Sequence, residues 1–481
     1  MDAPPPPSPA AHNLKKRKFD RLDEQEPPPE SDGVGLDFFN ALPDDLLCTI
    51  ISRLPTKDGA RTQVLARRWR PLWRSAPLNL IDHGLSVSGQ LGKRVVYISK
   101  ILSEHPGPAL RFSLPCLHER YHDKIDGWLR SRALTDLQEL CLGYGHRRYG
   151  IAGIPPSQLP KTPIPQSALR FAPTLRVARI GYCYFPKLPA QPLNFPLLKQ
   201  LSMYKVTISD WCASSLNFPQ LMQLTTHEVT ISGGALQSLL SGCLSLESLL
   251  LKDNVGVGRL RIISSTLRSI GFSAPSVQEL IIEDAPCLER LLPLTPDYGP
   301  STVKWHIQTT EMPAISVTTI MHTVKFLVID SVGPDLNAVI GFLKCFPCLE
   351  RLYIISHLRK GTKNARKYDP LDQIKCLTLH LKSVVLQNYW GYKPDVDFAK
   401  FFILNAMVLE QMIFRTLNGC NDKWMSGQHR RLQMDNRASP DAHFEFKACH
   451  DESWRSFAAD KHTHDLSVSN PFADCFENNF F

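Results

Sequence analysis

The strongest pattern along the chain is a spaced leucine motif, apolar-x-x-apolar-x-apolar, that returns at a nearly constant interval. It occurs at Leu137/Leu140/Leu142, Leu175/Ala178/Ile180, Leu198/Leu201/Met203 and Leu221/Leu224, where Thr226 takes the last place. It continues at Leu246/Leu249/Leu251, Leu267/Ile270/Phe272 and Val277/Leu280/Ile282. Further copies stand at Val324/Leu327/Ile329, Leu349/Leu352/Ile354, Ile374/Leu377/Leu379 and Leu409/Met412/Phe414. Successive starts from Leu175 to Leu267 lie 23, 23, 25 and 21 residues apart, and those from Val324 to Ile374 lie 25 and 25 apart. One copy arises by chance in any leucine-rich chain. A series at this spacing does not, and the interval falls in the roughly 20–29-residue range of leucine-rich repeats. Each unit predicts one short strand whose apolar side chains enter a shared core, and no unit covers its own apolar face, so the array is stable only as a stack. The repeats are irregular: asparagine ladders are missing, and the 142–175 and 282–324 intervals carry proline-rich insertions such as GIPPSQLPKTPIP. These are expected to project as loops on one rim.

Ahead of the array, residues 36–80 read as a small helical unit. From Leu42, the apolar positions Leu46, Leu47, Ile50, Ile51 and Leu54 cover nearly half of a helix circumference. A stripe of roughly 100° is enough to pack one face on a core, so the excess predicts an interface. Asp44 and Asp45 fall in the first turn, where carboxylates favour the positive helix end, and Pro43 suits the first helical position. LPTKDG, residues 54–59, stops this helix and caps another at Thr56. Apolar periodicity resumes at Val64, Leu65 and Trp69. Pro71 predicts an end or bend near Arg70, because its ring interrupts the hydrogen-bond ladder, and leaves Trp73 on a further short turn. Gly59 weakens the second helix by roughly 1 kcal/mol relative to alanine.

Residues 384–414 read as strand, loop, helix and strand. Val384 and Leu386 share a strand face, NYWGYKPD turns, Asp395 or Asp397 caps, and Phe398, Phe401, Phe402 and Leu409 recur near helical spacing. The last sixty or so residues are polar and irregular apart from FEF at 444–446, with an end expected to fray. Residues 1–34 hold two proline runs and mixed charge. They cannot bury enough apolar surface to offset ordering entropy, which predicts disorder. Within them Lys15, Lys16, Arg17 and Lys18 match a short nuclear-import signal, against the alternative of a solvated basic run.

Composition narrows the class. A chain of 481 residues exceeds one compact core, which favours several domains or an elongated array. No run approaches the eighteen or so apolar residues of a membrane span, and MDAPPPPSPA lacks the order of a secretory signal. Thirteen cysteines are scattered singly apart from CFPC at 345–348, which reads as reduced buried thiols in a cytosolic or nuclear protein. The net charge of +9 is diffuse and permits anionic partners without identifying one.

Few residues carry candidate chemistry. CFPC has a zinc-like gap but no second pair at ligand spacing, so buried repeat thiols are the better reading. The HTH run, His462–His464, has no nearby cysteine and reads as solvated loop histidines; SGG at 232–234 reads as a turn. There is no G-x-S-x-G, Walker or G-x-G-x-x-G motif, so neither catalytic residues, nor a metal, nor a cofactor are expected. ARRWR at 66–70 could stack bases and meet phosphates. The adjacent apolar face of Leu46, Ile50 and Leu54 favours a protein partner instead, with Arg67, Arg68 and Arg70 steering towards an acidic surface.

Residues 37–80, especially ALPDDLLCTIISRLPTKDGARTQVLARRWRPLW followed by SAPLNL, resemble the F-box. Residues 349–414 resemble the FBD segment near the C-terminus of the same plant family, and DNRASPDAHFEF is similar to its tail. With the leucine repeats, the chain resembles a plant F-box/FBD/leucine-rich-repeat protein. The expected fold is α/β: a tail at 1–34, a three-helix F-box at 35–80, an irregular solenoid at 81–348, an FBD-type strand–helix–strand end at 349–420, and a C-terminal tail at 421–481. The resemblance implies a non-catalytic substrate receptor of a Skp–cullin–F-box ubiquitin ligase, found in the nucleus, the cytoplasm or both. It assigns contact with a Skp-family adaptor, and through it a cullin–RING complex, to Leu42, Pro43, Leu46, Leu47, Ile50, Leu54, Val64, Leu65, Arg68, Trp69 and Trp73. Some of these must form the small domain's own core. A target protein, unidentified by the sequence, is expected on the concave strand face and rim loops. The alternatives are a repeat scaffold acting outside a ligase and, more distantly, a nucleic-acid binder.

Overall fold

The computed structural model describes residues 41–81, 91–144, 162–186, 192–273, 277–294, 314–317, 320–331, 336–356, 374–416, 421–448 and 459–468. The tail at 1–34, with Lys15, Lys16, Arg17 and Lys18, lies outside them, as does the proline-rich insertion up to residue 161. The chain divides into residues 1–44 and residues 45–481. Of the first unit residues 41–44 are described, with Pro43 and Asp44 exposed and Leu42 half-buried.

Among the described residues of the second unit, the repeats build a sheet of fourteen strands, side by side in the order in which the chain makes them, from Leu78–Ile81 to His443–Ala448. Every pairing along it is parallel, since each repeat carries the chain back to the same end before the next strand begins. The leucine motif sets the register: Leu201, Leu224, Leu249, Ile270, Leu291 and Leu327 are successive cross-strand neighbours, all buried in one continuous core. A slip of one residue would turn each of them to the opposite face.

Two ladders reinforce this stacking. Tyr182, Lys205, Glu228 and Asp253, each directly after its strand, adopt left-handed φ values of 53°, 50°, 52° and 51°. That conformation costs a non-glycine residue on the order of 1 kcal/mol. It turns the amides of Tyr182, Lys205 and Glu228 onto the carbonyls of Tyr204, His227 and Lys252 in the following strand. At the other strand end, charges alternate between neighbours: Arg268 pairs with Glu289, Lys325 with Glu350 and Lys382 with Glu410, at 2.9, 3.1 and 3.1 Å. Each pair is worth at most about 1 kcal/mol at such exposure, yet the alternation favours this order of neighbours over a shifted one.

Several expectations are corrected. Val277/Leu280/Ile282 form a buried strand, Val277–Asp284, but it belongs to a separate three-stranded sheet with Gly258–Ile263 and Ala314–Val317. The neighbouring main-sheet strand is Arg290–Leu294. Ile374/Leu377/Leu379 lie at a short helix, Lys375–Leu379, with Leu379 exposed; the strand follows at Ser383–Gln387. Ser232–Gly234 is no free turn: Ser232 caps the helix Gly233–Ser241 by accepting from the Ala235 amide at 3.0 Å. The tail begun at 421 continues the array with a helix, Asp422–Leu432, and the sheet's last strand, His443–Ala448, which contains FEF. In the strand–helix–strand segment Val384, Leu386, Phe398, Phe401 and Phe402 are buried. Asp395, and not Asp397, caps: its carboxylate accepts from the Trp390 and Tyr392 amides at 3.3 Å.

Candidate protein-docking site

The wide apolar stripe of the first helix, Asp44–Arg53, divides by its own geometry. Leu47 and Ile51, four residues apart, are buried; Leu46 and Ile50, one position earlier, are turned by about 100° and remain 51% and 40% exposed. Leu54 is half-buried. The second helix, Thr56–Arg61, runs into a short 3-10 turn, Thr62–Val64, which leaves Val64 84% and Leu65 66% exposed. Arg67 and Arg70 are exposed close by in sequence, and Arg68 is half-buried.

The third helix differs from expectation. It does not end near Arg70 but begins at Trp69 and runs to Ser75, carrying Trp73 within it. Pro71 occupies its third position, where the missing amide is one of the four that no helix can satisfy internally. Trp69 is only 6% exposed, so it and Leu47 belong to the core of the helical unit rather than to its outer face. Thr56 is not a cap either. It is the first helical residue, and its buried hydroxyl donates to the Asn79 carbonyl at 2.6 Å. Gly59 is a requirement more than a weakness, because a Cβ there would stand 2.5 Å from Cζ3 of the half-buried Trp73 ring.

These contacts fasten the helices to the array. Asn79 sits in the first strand of the long sheet, and its amide Nδ2 donates to the Arg53 carbonyl at 3.2 Å. His105 Nε2 lies 3.1 Å from the Trp73 carbonyl, with the two rings edge to face at 5.0 Å.

A second surface is the sheet face opposite the leucine core. The expectation of solvated loop histidines at 462–464 is overturned there. Ala459–His464 is a helical turn packed on the strands Ser248–Lys252, Ser269–Ser273 and Arg290–Leu294, and His462 and Thr463 are buried. His464 bridges two hydroxyls, with Nε2 2.8 Å from Thr225 Oγ1 and Nδ1 2.7 Å from Ser248 Oγ. Nothing local in the sequence points to this, since the partners lie more than two hundred residues upstream. The sole hint was the unassigned repeat LERLLPL at 288–294, whose Arg290 occupies a strand position.

Among the described residues no group of three His, Cys, Asp or Glu is placed to hold a metal ion, and no helix is long and apolar enough to cross a membrane. Cys345 and Cys348 are free and half-buried; burial pushes the Cys345 thiol up, and pushes Cys243 and Cys376 up to about 12. Such thiols stay protonated and unreactive.

Fold and surface together define a leucine-repeat protein with a small helical unit at its front that exposes apolar side chains. The chain matches family models in that same order: the F-box domain over residues 39–80, the LRR repeats of FBD-associated F-box protein At5g56370 over 125–215, 210–313 and 297–354, and FBD over 369–414. It is 27% identical to the putative F-box/FBD/LRR-repeat protein At1g66300 of Arabidopsis thaliana over 294 residues, 58% of this chain and 55% of that one. Similarity to the putative F-box/LRR-repeat protein At3g58880 of the same plant is 26% over 50% of this chain and 49% of the relative. With the F-box/FBD/LRR-repeat protein At1g13570, also from Arabidopsis thaliana, it is 25% over 74% and 71%. The chain thus spans about half the length of the first two relatives. It belongs to the F-box/FBD/leucine-rich-repeat proteins.

Proposed function

We propose that this chain is the target-recruiting subunit of a Skp–cullin–F-box ubiquitin ligase, itself without catalytic residues. One observation carries the reading: Leu46, Ile50, Val64 and Leu65 are exposed within the segment that matches the F-box domain. Exposed apolar side chains concentrated in so short a segment are costly in water and are retained where a partner covers them. A Skp-family adaptor docks on these four, aided by Leu54, Arg68 and Trp73. Leu47 and Trp69 act from beneath, holding the helices in place. The repeats take the target protein, whose lysine is thereby held near ubiquitin carried by the cullin–RING complex, and the gain is one of effective concentration. In this reading Lys15, Lys16, Arg17 and Lys18 direct import, and the protein works in the nucleus as well as the cytoplasm. Co-expression with a Skp-family adaptor tests the proposal. A stoichiometric complex is expected, lost on Leu46→Asp; a chain that stays folded and purifies without the adaptor refutes it.

A further inference from the structure

The helical turn that lies on the open sheet face is held by features unlike ordinary surface packing. Thr225, Leu250, Gly271 and Leu292 are successive cross-strand partners in one row on that face, each one residue past its leucine-core neighbour. Gly271 opens a hole in the row, and Thr463 fills it: a Cβ at Gly271 would stand 2.4 Å from Thr463 Oγ1 and 2.9 Å from Leu250 Cδ1. The next residue, His464, is seated between the Thr225 and Ser248 hydroxyls. Past the helix end, Arg290 gathers the backbone. Its Nη1 donates to the carbonyls of His462 and Asp465 at 3.4 and 2.9 Å, and its Nη2 to those of Leu466 and Val468 at 3.5 and 2.5 Å. The guanidinium is buried and lies 5.5 Å from the Phe326 ring centroid.

A socket, a pair of hydroxyls and a buried carbonyl-gathering arginine amount to a peptide-binding site. Its occupant fits imperfectly, since Thr463 Oγ1 and Arg290 Nε are both buried without a hydrogen-bond partner among the described residues. Leaving such atoms unpaired weakens the hold on this segment without abolishing it.

We propose that the face around Gly271 is a peptide-binding site, that residues 459–468 fill it in cis, and that a target segment of the same chemistry enters by displacing them. That segment is a short helical turn with a small β-branched residue for the socket, an imidazole one residue later, and backbone carbonyls ending over Arg290. That the displacing segment belongs to a target rests on the function proposed above; the occupancy in cis does not.

The test uses the full chain and a fluorescein-labelled peptide of the sequence ADKHTHDLSV, residues 459–468, followed by anisotropy. Thr463→Asp places a carboxylate where only a small side chain fits and frees the site. It should bind the peptide at least tenfold more tightly than the unaltered chain, and adding Arg290→Met should remove that gain. Hydrogen exchange provides the second readout: amides of 459–468 should be protected in the unaltered chain and exchange at least tenfold faster in Thr463→Asp, while those of 248–252 and 269–273 stay protected. Equal peptide binding by the unaltered chain and Thr463→Asp, no effect of Arg290→Met, or unprotected 459–468 amides in the unaltered chain would each overturn the proposal. None of these readouts involves an adaptor or ubiquitin, so a failed adaptor complex and an absent cis occupant are told apart.

Discussion

Replacing Leu65 by aspartate separates docking from folding more cleanly than any other change to the helical unit. Leu65 is 66% exposed in the chain alone, which corresponds to about 120 Å² of largely apolar surface. At roughly 25 cal/mol per Å², covering it contributes up to about 3 kcal/mol to a complex. A carboxylate there also has to be desolvated against an apolar partner, so the loss should be at least about 2 kcal/mol, or some thirtyfold in Kd. The folded chain barely notices, because exposed substitutions of this kind shift stability by about 0.5 kcal/mol or less. Trp69→Ala is the contrasting variant. Its side chain is 6% exposed, so truncation should cost roughly 3–5 kcal/mol of stability and abolish binding only through unfolding. Calorimetric titration with a purified Skp-family adaptor, paired with thermal melts of each variant, reads both quantities. The reasoning fails if Leu65→Asp binds within threefold of the unaltered chain with an unchanged melt, or if Trp69→Ala melts normally yet loses binding.

Gly59→Ala should lower stability by about 1–3 kcal/mol despite alanine's better helix propensity, because the new Cβ meets the Trp73 ring; a higher melting temperature would contradict the packing. Ser167→Ala should destabilise most at neutral pH. Burial by itself raises the Asp126 pKa, but the Ser167 hydroxyl and amide, at 2.6 and 3.2 Å, and Arg130 outweigh it and hold the carboxyl below its ordinary value. A folded pKa below the unfolded one gives stability that is present above about pH 4 and lost as pH falls through the folded pKa. Denaturant midpoints should therefore differ between the two chains at pH 7 and draw together as pH falls below the ordinary carboxylate range; a constant difference would exclude the linkage. The double variant Thr56→Val, Asn79→Ala removes both side-chain hydrogen bonds that join the helices to the first strand. It should keep adaptor affinity within a few-fold while slowing ubiquitin transfer to a bound target, and undiminished transfer would show that the joint is dispensable.

Most of the array was legible because a strand with one buried face has a period of two, and the motif repeats that period in register. What the pattern does not encode is which sheet a buried strand joins. Val277, Leu280 and Ile282 carry the right spacing, yet their strand pairs with Gly258–Ile263. Nor does it exclude a helix where only part of the motif is used: Ile374 and Leu377, three apart, suit a helical turn equally well. At the front, the stripe revealed a surplus of apolar groups but could not sort them, because Leu46 beside Leu47 and Ile50 beside Ile51 are equivalent in sequence. Burial decides the matter, and only the folded chain supplies it. The contacts of His464 with Thr225 and Ser248 were beyond reach for another reason: they close loops of 239 and 216 residues, and no local periodicity records such a closure.

The joint between the helical unit and the sheet gives these surfaces a common purpose. A docking unit on a flexible tether would bring a bound target near its partner's machinery with an effective concentration that falls as the tether lengthens. Here Ser75 and Leu78 are separated by two residues, and Leu78 is already paired into the sheet. Thr56 and Arg53 both bond to Asn79 in that strand, and Trp73 is engaged by His105. Leu46, Leu65 and the repeat face therefore belong to one compact unit, which lowers the conformational entropy lost when both are engaged. If the chain acts as proposed, by positioning a target for a partner's chemistry, this joint is what holds the positioning geometry constant.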